Sequence, residues 1–318
     1  MAEGEESVAP VQAALFRRCA SDPLALSLIP DYPSWDTPHR LLAGARWLAL
    51  SGEVDDFETA ADPWNAFHSV LEEHGEWLAR FVREHPVQTN EVQRCWVLLP
   101  IFLTVARLAG RPLDLVELGT SAGLNLLWDR YGYRYEAGTW GEGSAPLQLE
   151  GKERSAVPGA LLRTEVDVRR RLGIDLQPVD VTTEEGIRLL DTFVRDESYR
   201  TRLRRASDVL RQEPPELVRG DYLDLLPGIL QARSDDALMV VFQTISTVYL
   251  TDDERNRLRA TVDEAGAEGP LAWISTPTPE EHGQRRGDYT LELAMWPGDE
   301  RRIVARMNVR GEWLEWCG

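Results

Sequence analysis

Between Leu113 and Gly123 the chain reads LDLVELGTSAG, and this stretch restricts the fold more than any other. Its first six residues, four of them leucine or valine, suit a short buried strand. Gly119 then permits a sharp turn, and Gly123 a close approach of the segment that follows, read as a helix from Leu124 to about Arg130. Amides at the start of such a helix offer hydrogen bonds to a polar or anionic ligand. Strand, glycine turn and helix in that order open a βαβ unit, so a parallel sheet is expected.

The pattern repeats downstream. Further strands are predicted at Val166 to Asp175, Leu217 to Arg219, Ala237 to Phe242 and Leu271 to Ile274, separated by helices at Glu185 to Val194, Ser198 to Gln212 and Asp252 to Ala265. Tyr289 to Trp296 and Arg302 to Trp316 alternate in polarity across a Pro-Gly turn, which reads as a closing antiparallel hairpin. Upstream of Pro112 the chain reads as helical. Asp62-Pro63 supplies a cap and a first-turn proline, Phe67, Leu71, Trp77, Leu78 and Phe81 share a stripe, and Pro86 ends the helix. A second helix, from Thr89 or Asn90 to Gly110, is expected to kink at Pro100. The expected organisation is therefore an N-terminal helical domain over 1–110 and an α/β domain over 111–318. A glycine- and aromatic-rich insertion at about 131–165, with Tyr131, Tyr133, Tyr135 and Trp140, is expected to line or cover the site.

Composition removes several function classes. A net charge of -18 opposes a nucleic-acid backbone, and the basic runs Arg169 to Arg171 and Arg200 to Arg205 read as solvated faces. The three cysteines, Cys19, Cys95 and Cys317, lie far apart, and the five histidines form no HExxH pair, so neither a disulfide frame nor a metal site is expected. With no apolar run of about 18 residues and no signal-peptide layout at its start, the chain is expected to be cytoplasmic and free of the membrane.

The bend at Gly119 admits two chemistries. Gly119-Thr120-Ser121-Ala122-Gly123 satisfies the G-x-S-x-G elbow of serine hydrolases, which would need His282, the one downstream histidine, to activate Ser121. Such an elbow normally follows several strands, whereas only helices precede this one.

The second chemistry comes from wording. Thr89-Asn90-Glu91-Val92-Gln93-Arg94, the run Glu117 to Tyr131 with its SAGLN block, Gly173 to Asp180 and the terminal Gly311-Glu312-Trp313-Leu314-Glu315-Trp316 resemble an uncharacterised bacterial domain-of-unknown-function family. That family is similar to class I S-adenosylmethionine-dependent methyltransferases. The resemblance implies a Rossmann-like sheet and that cofactor. It implies that Glu117, Gly119, Ser121 and Gly123 cradle the methionine part, with Glu117 facing its amino end. Asp175 would accept from the ribose hydroxyls and Asp221 would meet the adenine amino group. Asp175 lies well beyond the usual ~20 residues from the turn, and either aspartate equally suits a cap or a turn. The family tends to carry histidine where this chain has Gln243, Asn308 and Arg310, so either proton removal is unnecessary, or another group such as Tyr249 or His282 performs it, or the reaction has changed.

An acceptor would then sit near Gln243, Thr244 and Tyr249, walled by Trp128, Tyr133, Asn90, Glu91 and Arg94. Thr89 to Arg94 equally reads as a capping box with a structural salt bridge. The expected function is a small-molecule methyltransferase. One alternative keeps the fold and drops the cofactor, catalysing a substitution or ring closure on a substrate with its own leaving group. Another is a non-catalytic subunit serving a protein partner or pairing with itself, for which eleven tryptophans could supply an interface.

Overall fold

The computed structural model describes residues 10–30, 35–193, 196–278, 287–298 and 300–318. It divides into two compact units, Met1–Thr89 with Thr183–Arg200, and Asn90–Thr182 with Thr201–Gly318. The first is helical. In its helix Pro63–Glu84 the Asp62 carboxylate accepts from the Asn65 amide at 3.1 Å, the cap expected from sequence. The stripe residues Phe67, Leu71, Leu78 and Phe81 are buried.

The second unit is a mixed α/β structure around a large, mostly parallel sheet. Its strands are β1 (Leu113–Leu118), β2 (Gly132–Tyr135), β3 (Gly138–Trp140), β4 (Gln148–Glu150), β5 (Lys152–Ser155), β6 (Val168–Asp175), β7 (Glu216–Arg219), β8 (Leu238–Phe242), β9 (Leu271–Ser275), β10 (Asp288–Trp296), β11 (Arg302–Asn308) and β12 (Trp313–Trp316). Nine of these form one sheet in the order β5-β12-β11-β10-β9-β8-β1-β6-β7. Pairing is parallel from β7 through β9 and antiparallel from β9 through β12. The expected C-terminal hairpin is thus a three-stranded meander, and β5 from the insertion pairs in parallel with its last strand.

Alternation along the strands explains the layers. Val116, Leu118, Leu172, Ile174, Met239 and Val241 face a core shared with Leu223, Leu226 and Leu230 of helix Tyr222–Gln231 and Leu258, Val262 and Ala265 of helix Asp252–Glu268. The opposite face meets helix Arg94–Ala109, here α1, where the Phe102 ring packs edge-on against Phe242 at 5.2 Å. With both faces covered, every residue of β1 is buried, as its near-continuous apolar run requires. Because α1 packs on the sheet, it belongs with the α/β unit, and the division falls at Thr89 rather than at 110.

Pro100 lies inside α1 without interrupting it. Proline has no N–H to give the Trp96 carbonyl four residues back. The Tyr135 hydroxyl donates to that carbonyl instead, and the two rings stack at 5.2 Å. Tyr135→Phe leaves a buried carbonyl without a donor and should lower the unfolding free energy by about 1–3 kcal/mol, read as a shift of the urea midpoint.

Three further expectations are corrected. Leu124–Arg130 is a 3-10 segment broken at Leu127, not an α-helix. The Tyr131 hydroxyl takes the Leu124 carbonyl at 2.7 Å and Tyr133 takes that of Trp128 at 2.6 Å, which competes with an i to i+4 ladder. The insertion is a packing element with its own β3-β2-β4 sheet, and its three tyrosine hydroxyls all engage main-chain carbonyls. The run Arg169 to Arg171 is paired rather than merely solvated: Arg169 with Asp114 at 2.5 Å, Arg170 with Glu216 at 2.8 Å, and the buried Arg171 with Asp129 at 2.6 Å. No helix among the described residues is long and apolar enough to cross a membrane.

Candidate functional site

From β1 the chain builds the sheet outward through β6 and β7, then returns to the other side of β1 for β8 and β9. The carboxyl ends of β1 and β8 therefore flank the point where strand order reverses, the place where open α/β sheets hold ligands. The loops leaving these two strands meet there. A Cβ built on Gly119 (φ +70°) would lie 2.5 Å from Cβ of Ser246, so only glycine fits. Ser121 (φ 55°) and Ile245 (φ 69°) are the two non-glycine residues with positive φ among the described residues, one on each loop. For a β-branched residue that conformation is costly and persists only when its surroundings impose it. At Ile245 the constraint is Thr276, whose hydroxyl oxygen accepts the Ile245 amide at 2.5 Å and donates to the Gln243 side chain at 3.0 Å.

The bend itself is tied inward. Gly119 and Thr120 amides donate to the Ile174 carbonyl, Ser121 to the Asp175 carboxylate at 2.8 Å, Gly123 to the Thr120 carbonyl, and Leu124 to the Asn90 side chain at 2.9 Å. All five amides serve the protein itself, including that of Leu124 at the segment start, where the sequence left the amides open to a ligand.

Glu117 sits on the α1 side of β1 and is 2% exposed. Its carboxyl accepts from the Thr120 hydroxyl at 2.6 Å and from the Asn125 side chain at 3.2 Å. Burial pushes its pKa up to about 8, outweighing those two hydrogen bonds, with Asp175 adding to the rise. Asp175, the last residue of β6, is only partly buried, and Ser121 and the Gln177 amide (2.9 Å) hold one carboxylate oxygen each. Asp221 caps helix Tyr222–Gln231 through the Leu223 amide at 2.8 Å and is itself exposed.

Sequence reasoning missed three members of this constellation. The buried hydroxyl oxygens of Ser246 and Tyr222 have no completed hydrogen bond, and neither has Ser121 Oγ. Burial raises the Tyr222 pKa and the nearby Ser246 hydroxyl tempers the rise, so Tyr222 stays a proton donor. Buried polar atoms without partners are rare enough to mark a place where a ligand's polar atoms belong. Thr276, which fixes the strained Ile245, was missed as well.

The remaining expected residues divide. Gln243 bonds Thr276 through both ends of its amide, at 3.1 Å to the carbonyl and 3.0 Å from the hydroxyl. The Thr244 carbonyl accepts from Arg94 at 3.4 Å, which places Arg94 at the end of β8. Glu91 pairs with Arg202 at 3.2 Å, a salt bridge that leaves the Thr89–Arg94 run. α1 starts at Arg94 with no side-chain cap, so the capping box expected there does not form. Burial raises the Glu91 pKa despite its partner. Tyr249 is 51% exposed beyond the same loop. Trp128 and Tyr133 fall outside the constellation: Trp128 is fully buried, its ring flat against Phe102 at 4.5 Å, and Tyr133 packs on Trp140. His282 lies outside the described residues, and the described part of this unit contains no other histidine to activate Ser121.

The bacterial family DUF2332, described as an uncharacterized protein conserved in bacteria, matches residues 1–316. The chain belongs to this family. No curated protein matches it. In this DUF2332 member Asn308 donates to Glu312 at 2.9 Å and Arg310 lies 3.7 Å from the same carboxylate, so the turn after β11 is held by ion and amide contacts.

Proposed function

We propose that this DUF2332 protein is a small-molecule methyltransferase that binds S-adenosylmethionine on a Rossmann-like sheet, at the carboxyl ends of β1, β6 and β8. The observation that carries this reading is the placement of Asp175. A carboxylate on the strand beside the glycine bend is oriented by two amides, next to three buried hydroxyls without a well-formed hydrogen bond, of which Ser246 and Tyr222 face each other. Such a donor set suits the hydroxyl-rich, uncharged half of a nucleoside. Asp175 would accept from the ribose, Asp221 would meet the adenine amino group while capping its helix, and Ser121, Ser246 and Tyr222 would complete the polar contacts. The cofactor would supply an activated methyl group. The chain's part is alignment and exclusion of water around the acceptor near Gln243, Thr244 and Tyr249.

The amino-acid half fits less well, because Glu117 is already bonded twice and holds its proton near neutral pH. That observation favours a second reading, a cofactor-free substitution on a substrate with its own leaving group. Titration calorimetry with S-adenosylhomocysteine and S-adenosylmethionine decides between them. Binding by the wild type is expected, weakened roughly tenfold or more in Asp175→Asn, as loss of a charged hydrogen-bond acceptor implies. Asp221→Ser keeps a helix cap and should weaken the adenine contact alone. Absence of any heat from either ligand would reject the first reading and leave the second.

A further inference from the structure

Arg94 opens α1 and is 7% exposed, yet it forms no ion pair among the described residues. Its Nε donates to the Val309 carbonyl at 2.9 Å and its Nη1 to the Thr244 carbonyl at 3.4 Å. A guanidinium has five N–H groups. The other three have no acceptor among the described residues, and carbonyls orient a cation without neutralising it. The carboxyls closest to serving are otherwise engaged. Glu91 faces Arg202 at 3.2 and 3.4 Å. Glu117 accepts from Thr120 and Asn125 and keeps its proton near neutral pH. Both carboxyls feel the Arg94 charge, yet neither forms an ion pair with it, so the buried cation is only partly offset and favours an anion that could approach it directly. The other two buried arginines among the described residues, Arg46 and Arg171, each pair with a carboxylate, at 2.7 and 2.6 Å.

We propose that Arg94 anchors an acidic group, a carboxylate or phosphate, on the acceptor substrate. Thr244 places the guanidinium at the carboxyl end of β8, on the other side of the strand-order reversal from Asp175. The substrate class is therefore an organic acid or phosphate ester whose anion docks on Arg94 while its reacting atom faces the crevice. The inference rests on the location of the proposed site but not on the identity of the nucleoside, so each can fail alone.

The test uses the full chain and measures thermal stabilisation and calorimetric binding with succinate, inorganic phosphate and neutral dimethyl succinate. At least one anion should bind and raise Tm, and the ester should not. Which anion binds separates a carboxylate acceptor from a phosphorylated one. Arg94→Gln should weaken that anion by about 10- to 100-fold, the range for a charge-assisted hydrogen bond. Arg94→Lys should fall between, because it keeps the charge but loses the fork. S-adenosylhomocysteine binding should be little changed in either variant. If Arg94→Gln does not fold, Arg94→Lys carries the comparison. Equal binding of acid and ester, no response to any anion at tens of millimolar, or unaltered anion affinity in the variants would overturn the proposal.

Discussion

Between about pH 5 and pH 8 the unfolding free energy will fall by up to ~1.4 kcal/mol per pH unit through Glu117, and Glu117→Gln will remove that component. Burial raises the folded-state pKa from 4.5 to about 8, so within this window the folded protein holds a proton that the unfolded chain has released. Stability must then decline as pH rises. Below 4.5 both states are protonated and the penalty vanishes; above 8 it is complete. Glutamine keeps the acceptor oxygen and carries no charge, so the difference between wild type and variant in urea titrations should widen steadily across the window. Parallel pH profiles would show that Glu117 is ionised in the folded state. In the proposed complex the effect reverses locally. A ligand ammonium beside Glu117 favours the carboxylate, so S-adenosylhomocysteine binding near neutral pH should release a proton, seen as buffer-dependent heat.

Gly119→Ala is expected to cost about 2–5 kcal/mol, combining ~1–2 for a side chain in left-handed backbone with ~1–3 for overpacking. The added methyl would meet Ser246 Cβ at 2.5 Å. Gly110→Ala is the control, since Gly110 also has positive φ (+59°) but open space around it, and only the backbone part applies. Ser246→Gly should recover most of the packing part in the double variant. Equal losses at the two glycines would mean that the loops do not touch.

The strands of the sheet were legible because each is a short apolar run between turn residues, and burial on both faces leaves no other composition open to them. Gly119 and Gly123 were legible for a related reason: a sharp bend at a strand end admits few residue types, whereas Glu117 was singled out only by the resemblance. Ser246, Tyr222 and Thr276 were not, because their importance lies in meeting loops distant in sequence, and no spacing announces that. The 3-10 form of Leu124–Arg130 was hidden likewise, since Tyr131 and Tyr133 compete for its carbonyls only once the insertion has folded. The unbroken course of α1 through Pro100 depends on Tyr135, thirty-five residues on. Arg94 stood in a recognisable motif, but its sequence context did not distinguish it from Glu91, which turned out to be half of a salt bridge.

The edge strand β5 registers with β12 through Glu153 and Leu314, partners roughly 160 residues apart. Segments so distant must diffuse together against a large loop-closure entropy, so this margin of the sheet should assemble late in folding. Until it does, the outer meander exposes unpaired backbone of the kind that recruits neighbouring chains into aggregates. Recombinant yield should therefore be more sensitive to changes in 152–155 than their polar, exposed or half-buried side chains would suggest.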